Sequence, residues 1–327
     1  MKFLLKNRLK NIVNKSPFAF LFNYFYLSFC RADEKQKKVV NNKKDSNYIY
    51  VIRPRTDCVE GLLSLFLGVM KNIVFAHEKN LQFYIDFKRY KTQYSVSDAE
   101  NAWEYFFKQP SLQEVNLKKT NYILSGFTFR QLKNKTDLFS ECVFYNNEIK
   151  NKSKQLIRKY IFFSDLVKER LDKEFAILKY DITEAIGVYL RGTDYVKLKP
   201  SGEPVQPGVE QVSLQIDTFL EKYPNSNIFL VTEDYEIYSF LDEKYKEKLF
   251  IKENDTFIHN FSGDNFLSKS EVLNDDRIER GINYLVKIIL LSYCKYFISS
   301  ITNGSISAYL LKDGNFTDEY IFNLGHY

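Results

Sequence analysis

The clearest run of alternating positions is residues 186 to 191. Ile186, Val188 and Leu190 alternate with Gly187, Tyr189 and Arg191, and no charged residue precedes the arginine. A strand apolar on both faces predicts an interior place in a parallel sheet, and its β-branched and aromatic content suits that place. Downstream, Ile282, Leu285, Val286, Ile289, Leu290 and Tyr293 recur at helical spacing and predict an amphipathic helix. Residues 296 to 299 follow as a strand, then a Thr-Asn-Gly turn and a helix over 305 to 311. Val209, Val212, Ile216, Phe219 and Leu220 mark another helical face, which Pro224 ends. Residues 227 to 231 predict a strand that runs into Thr232, Glu233 and Asp234, and residues 249 to 252 a further strand. Between the arginine strand and Val209, residues 196 to 208 hold three prolines and two glycines and read as a loop.

The first half shows the same alternation. Residues 48 to 52 predict a strand, 62 to 75 a helix and 81 to 87 a second strand. Gly61, between strand and helix, reads as a backbone requirement. Residues 155 to 178 predict one long helix bridging the halves. Alternating β and α units imply an α/β fold built on parallel sheets. The expected division is an N-terminal segment and linker over 1 to 45, an α/β domain over 46 to 180, and a Rossmann-like domain over 181 to 327. No G-x-G-x-x-G occurs, so dinucleotide redox chemistry has no support.

Composition narrows the function classes. The chain has 327 residues, long enough for two domains with substantial cores. A hydrophobic fraction of 45% excludes a disordered chain, and a net charge of +6 suits an anionic ligand or membrane surface without a nucleic-acid footprint. Cysteines at 30, 58, 142 and 294 form no CxxC pair, and His77, His259 and His326 are scattered. No metal site is therefore expected, and isolated thiols fit a reducing, cytoplasmic location. Asp275 and Asp276 superficially suggest metal binding, but adjacent acids on a charged loop are expected to face water. Residues 1 to 16 are basic, and 17 to 30 form an aromatic run too short to span a bilayer. That run fits either a helix packed on the domain or a peripheral membrane contact.

The candidate chemistry sits at strand ends. In open α/β sheets, ligands bind beyond the carboxyl ends of the strands. Arg191 stands there, able to grip a phosphate with two parallel hydrogen bonds or to close its own turn with Asp194.

VYLRGTDY, residues 188 to 195, resembles the arginine motif of the fucosyltransferase superfamily that includes α1,2-, α1,6- and protein O-fucosyltransferases. Arg191 matches the arginine that binds the β-phosphate of GDP-fucose, and Asp194 the motif's aspartate. Tyr189 stands at the motif's histidine, and Gly192 replaces its second arginine. FLVTEDYE, with Thr232, Glu233 and Asp234, is similar to the family's strand ending in Thr-Asp-Asp. LLSYCKYFISSITNGSISA is similar to its helix, strand and Ser-rich turn, so Ser300, Thr302, Asn303, Gly304 and Ser305 match the residues that meet the nucleotide phosphates. Lys287 occupies the place of an acid that reads the guanine edge. A lysine cannot accept those N–H donors, which leaves Asp234 or Glu279 as substitutes. The stretch containing Trp103 resembles Trp-Glu-Tyr-Phe in related bacterial sugar transferases. Its ring would serve the core or, less expectedly, stack on an acceptor sugar.

The resemblance implies a GT-B-like fold of two Rossmann-like domains facing a cleft. It implies an inverting, metal-independent transferase with no cofactor, in which a nucleotide sugar, GDP-fucose or another, donates to a glycan or glycolipid acceptor. Glu203, in the proline-rich loop, is the candidate general base. A rival expectation is a non-catalytic glycan-binding protein that keeps the fold.

Overall fold

The computed structural model describes residues 37–38, 48–54, 60–116, 120–125, 137–261 and 276–327. Expectations for the N-terminal basic and aromatic stretch, and for Asp275, lie outside them. Among the described residues, no helix is long and apolar enough to cross a membrane.

Two sheets carry the fold. The first joins β1 (Lys37–Lys38), β2 (Ile49–Ile52), β3 (Gln82–Ile85) and β4 (Tyr122–Leu124) in the order β1-β4-β2-β3. β2 lies parallel to both β3 and β4, and β1 is antiparallel to β4. α1 (Leu62–Glu78) links β2 to β3. Its start at Gly61 corrects the backbone expectation. Gly61 has φ −65° and ψ 158°, which any residue adopts, and an added Cβ would meet nothing within 4 Å.

The second sheet holds β5 (Ile186–Tyr189), β6 (Ile228–Val231), β7 (Leu249–Phe250), β8 (Tyr296–Ser300) and β9 (Asp318–Phe322), all parallel, in the order β7-β6-β5-β8-β9. Val188 registers with Leu230 on one side and Ile298 on the other. β5 is thus the central strand that its apolar run predicted. Ile186, Val188 and Leu190 pack with Val212, Ile216 and Phe219 of α5 (Val209–Lys222) and Leu241 of α6 (Tyr235–Tyr245). Tyr189 on the opposite face packs with Leu285, Val286 and Ile289 of α7 (Arg277–Tyr293). Each fully buried aliphatic side chain contributes about 1.5–3 kcal/mol, so this two-sided packing makes β5 a rigid base for the turn at its carboxyl end.

The long helix expected over 155 to 178 is two helices, α2 (Asn147–Tyr160) and α3 (Asp165–Ile177). The break has a backbone cause. Phe163 bridges Phe107, the Ser164 amide donates to the Phe106 carbonyl at 3.0 Å, and the Ser164 hydroxyl caps α3. The loop expected from residue 196 begins with a short helix, α4 (Thr193–Leu198), and β7 spans only two residues of the four expected. The helix after β8, α8 (Asn303–Leu311), starts two residues earlier than its apolar pattern indicates because Thr302 caps it.

Trp103 belongs to the core. It is 1% exposed, stacks on Phe107 at 4.5 Å and donates its indole N–H to the Lys108 carbonyl at 3.3 Å. Its suggested place in an acceptor cleft is thereby overturned.

Candidate functional site

Strand order locates the site. β5, β6 and β7 extend to one side and β8 and β9 to the other, so the topological switch lies between β5 and β8. A crevice opens beyond the carboxyl ends of strands at such a point. Arg191 follows β5 on one wall, and the start of α8 follows β8 on the other.

The Arg191 wall is built from one hydrogen bond and one ion pair to carboxylates. One guanidinium Nη donates to Asp194 Oδ1 at 2.6 Å, and Nε lies 3.4 Å from Glu233 Oε1. The Tyr195 ring sits 4.7 Å from the guanidinium carbon. Burial opposes the charge on Arg191, but the negative Glu233 and Asp194 more than offset it and hold the pKa well above the usual arginine value. The side chain is 20% exposed, so one part reaches solvent. Arg191 closes its turn with Asp194, the second of its two sequence readings, and still reaches solvent.

The turn itself explains the missing second arginine. A Cβ at Gly192 would lie 2.2 Å from Asp234 Oδ2, so no side chain fits without displacing Asp234. Thr193 then adopts φ 42°, in the left-handed region, at a cost of about 1–2 kcal/mol. Three hydrogen bonds offset it. The Thr193 amide donates to Asp234 Oδ2 at 3.0 Å, its hydroxyl to Glu233 Oε1 at 2.8 Å, and the Gly192 amide to the same Oε1 at 3.1 Å. Asp234 Oδ1 meanwhile caps α6 through the amides of Glu236 and Ile237. Thr232 is buried and accepts from the Asp234 amide at 3.2 Å. Thr232, Glu233 and Asp234 thus shape the arginine turn, and Glu233 is its hub.

Across the crevice, the Ser-rich turn spends its hydroxyls internally. Thr302 and Ser305 cap each other's amides, and Ser305 also donates to the Thr302 carbonyl at 3.0 Å. Ser300 is fully buried and donates to Gln206 Oε1 at 2.5 Å. What the turn exposes is Asn303; the amides of Asn303 and Gly304 have no intrahelical acceptor, and they lie at the positive end of the helix dipole. Gly304 is pressed against Tyr189, whose hydroxyl pairs with that of Tyr284 on α7 at 2.9 Å. Burial pushes both phenols up.

Lys287, one turn beyond Tyr284, is buried and bonded to both oxygens of Asp255 at 2.8 and 3.0 Å. Asp255 is the missed partner; it lies 32 residues away in a loop with no sequence signal. Of the two acids nominated to replace the guanine-reading residue, Asp234 holds the arginine turn and Glu279 pairs with Arg170. Glu203 is half-buried and accepts from the Tyr195 hydroxyl at 3.4 Å, which brings it to within one side chain of Arg191. Its loop is strapped to the chain's last residues by Gly202 to Tyr327, Val205 to Gly325 and Tyr327 to Glu203 backbone bonds. Asp276 caps α7. Among the described residues, no three His, Cys, Asp or Glu side chains are grouped as a metal ion would need. Tyr195 and Gln206 were missed as supports. Tyr195 lay in view inside the motif, whereas Gln206 had no signal.

No family model and no curated protein matches the chain. Solved structures do. NodZ α-1,6-fucosyltransferase soaked with GDP-fucose aligns at TM-score 0.50 and 16% identity, covering 81% of this chain and 93% of that one. POFUT1 in complex with GDP-fucose aligns at TM-score 0.50 and 10% identity, covering 86% of this chain and 99% of that one. Fucosyltransferase NodZ from Bradyrhizobium aligns at TM-score 0.49 and 16% identity over 81% of this chain and 94% of that one. The strand order, the switch point and the first two alignments agree: the chain has the GT-B-like α/β fold of the fucosyltransferases.

Proposed function

We propose that the protein is a glycosyltransferase that moves fucose from GDP-fucose to a hydroxyl of a surface glycan, with inversion at the sugar carbon. The observation that carries this reading is the placement of Arg191 just past β5 and of the start of α8 just past β8, on either side of the switch point. A diphosphate fits between such walls. In the reaction, the acceptor oxygen forms a bond to the anomeric carbon as the bond to the β-phosphate oxygen breaks. The electron pair passes to that phosphate oxygen, where Arg191 and the α8 amides stabilise the growing charge. The acceptor's proton goes to a base, for which Glu203 is the candidate because it shares Tyr195 with Arg191. Asp194 and Glu233 orient the guanidinium. We place the reaction at the cytoplasmic membrane face, a reading that rests on the basic, aromatic N-terminal sequence.

The test uses water as acceptor. GDP release from GDP-fucose should exceed the blank with the wild-type protein and fall to the blank with Arg191→Ala. Tight GDP binding without release would contradict the transferase reading.

One observation favours a second reading, a non-catalytic glycan-binding protein. Asp194 and Glu233 hold the arginine of the turn, so a diphosphate must compete with carboxylates for it. A protein that binds glycan but no nucleotide would establish that reading. A third outcome, preference for another nucleoside diphosphate, would keep the transferase and change the sugar.

A further inference from the structure

We propose that Tyr189 is a positioning residue that sets the gap between the Arg191 guanidinium and the first turn of α8, with Gly304 as the matching recess. The inference rests on the reading of that crevice as a diphosphate site. Tyr189 and Arg191 lie two residues apart, at and just past the end of β5, and so share a face of the sheet. The tyrosine is buried, and it touches the elements that form or back the crevice. Its backbone belongs to β5. Its hydroxyl pairs with that of Tyr284 of α7 at 2.9 Å. Its ring fills the space beside Gly304, where an added Cβ would lie 2.5 Å from the hydroxyl oxygen and 2.6 Å from the ring carbon that bears it. No real Cβ tolerates such distances, so α8 can approach β5 this closely only with glycine at 304.

The consequence is geometric. The amides that would meet phosphate oxygens belong to the same helical turn as Gly304. The guanidinium that would meet them from the other side extends from the same strand end as Tyr189. One rigid aromatic ring therefore fixes the span between the two groups, and a displacement of about 1 Å at such a site costs heavily in function. Tyr189 need not touch the ligand to do this.

The test is calorimetric titration of GDP and of inorganic pyrophosphate into the full chain and into Tyr189→Phe, Gly304→Ala and the double variant Tyr189→Leu/Gly304→Ala. Thermal denaturation reports whether each is folded. Tyr189→Phe keeps the ring and loses the tether to α7, and should weaken both probes about fivefold. Gly304→Ala should weaken both by more than about tenfold. The double variant should recover affinity relative to Gly304→Ala, because leucine vacates the space that the alanine methyl needs. A residue that only stabilises the fold would leave the affinities of folded variants unchanged, and a residue that contacts the base would shift GDP alone. Either result overturns the proposal. Should Gly304→Ala fail to fold, Tyr189→Phe decides. A wild-type protein that binds neither probe overturns the diphosphate reading and this proposal together, whereas tight wild-type binding with indifferent variants overturns this one alone.

Discussion

Two arginines come just after central strands at topological switch points, and they are used differently. Arg53 succeeds β2, beside β4, and Arg191 succeeds β5, beside β8. Arg53 is 4% exposed; its amide donates to the Ser125 hydroxyl at 3.0 Å and its Nε to the Ser125 carbonyl at 2.7 Å, and its guanidinium lies over the Tyr90 ring at 5.3 Å. It stitches the end of β2 to the end of β4. Arg191 is met by carboxylates, on a turn that includes a left-handed threonine, with part of its side chain open to solvent. A backbone carbonyl cannot be exchanged for a ligand without exposing a strand end. A carboxylate such as Glu233 can share a guanidinium with a phosphate, because Gly192 and Thr193 still donate to it. Strain together with exchangeable partners, rather than an arginine at a strand end, is what singles out Arg191 for the proposed site.

The sharpest break of the comparison is removal of each side chain. Arg191→Ala should lower affinity for GDP by about a hundredfold by calorimetry, since a charge-assisted contact is lost, with the fold retained. Arg191→Lys should recover little of it, because one ammonium cannot reproduce two parallel bonds. Arg53→Ala should do the reverse. Its loss should cost about 2 kcal/mol in chemical denaturation by leaving the Ser125 carbonyl without its donor, while GDP affinity stays within about twofold. Gly192→Ala should destabilise by about 1–3 kcal/mol in the same assay, through the clash with Asp234, and weaken GDP as the turn shifts. Glu233→Gln sharpens the contrast most finely. An amide oxygen can still accept from Gly192 and Thr193 but no longer neutralises Arg191, so stability should fall by about 1 kcal/mol while GDP affinity holds or rises. An equal loss of GDP affinity in Arg53→Ala and Arg191→Ala would erase the comparison.

Much of this was legible in the sequence where one face of an element is uniformly apolar. β5 and α7 were readable because Ile186, Val188 and Leu190, and Ile282, Leu285 and Ile289, are buried as their spacing requires. α6 was not, since Leu241 and Tyr245 are its only buried residues and Tyr235 and Phe240 lie exposed. β9 was not, because an edge strand that begins with Asp318 and Glu319 lacks an apolar run. The helix break at Ser164 arises from pairing with residues 106 and 107, which no local pattern encodes. At the site, Arg191, Asp194, Glu233 and Asp234 were visible as a charged cluster at strand ends. The Gln206 partner of Ser300, the Asp255 partner of Lys287 and the strap that holds Glu203 depend on contacts far along the chain.

The most direct measurement is calorimetric titration of GDP, UDP, ADP and CMP into the wild-type protein and Arg191→Ala. The account predicts that GDP binds most tightly and that the variant loses this binding while its thermal transition is retained. Equal GDP binding by both proteins, or no nucleotide binding by the wild type, would contradict it.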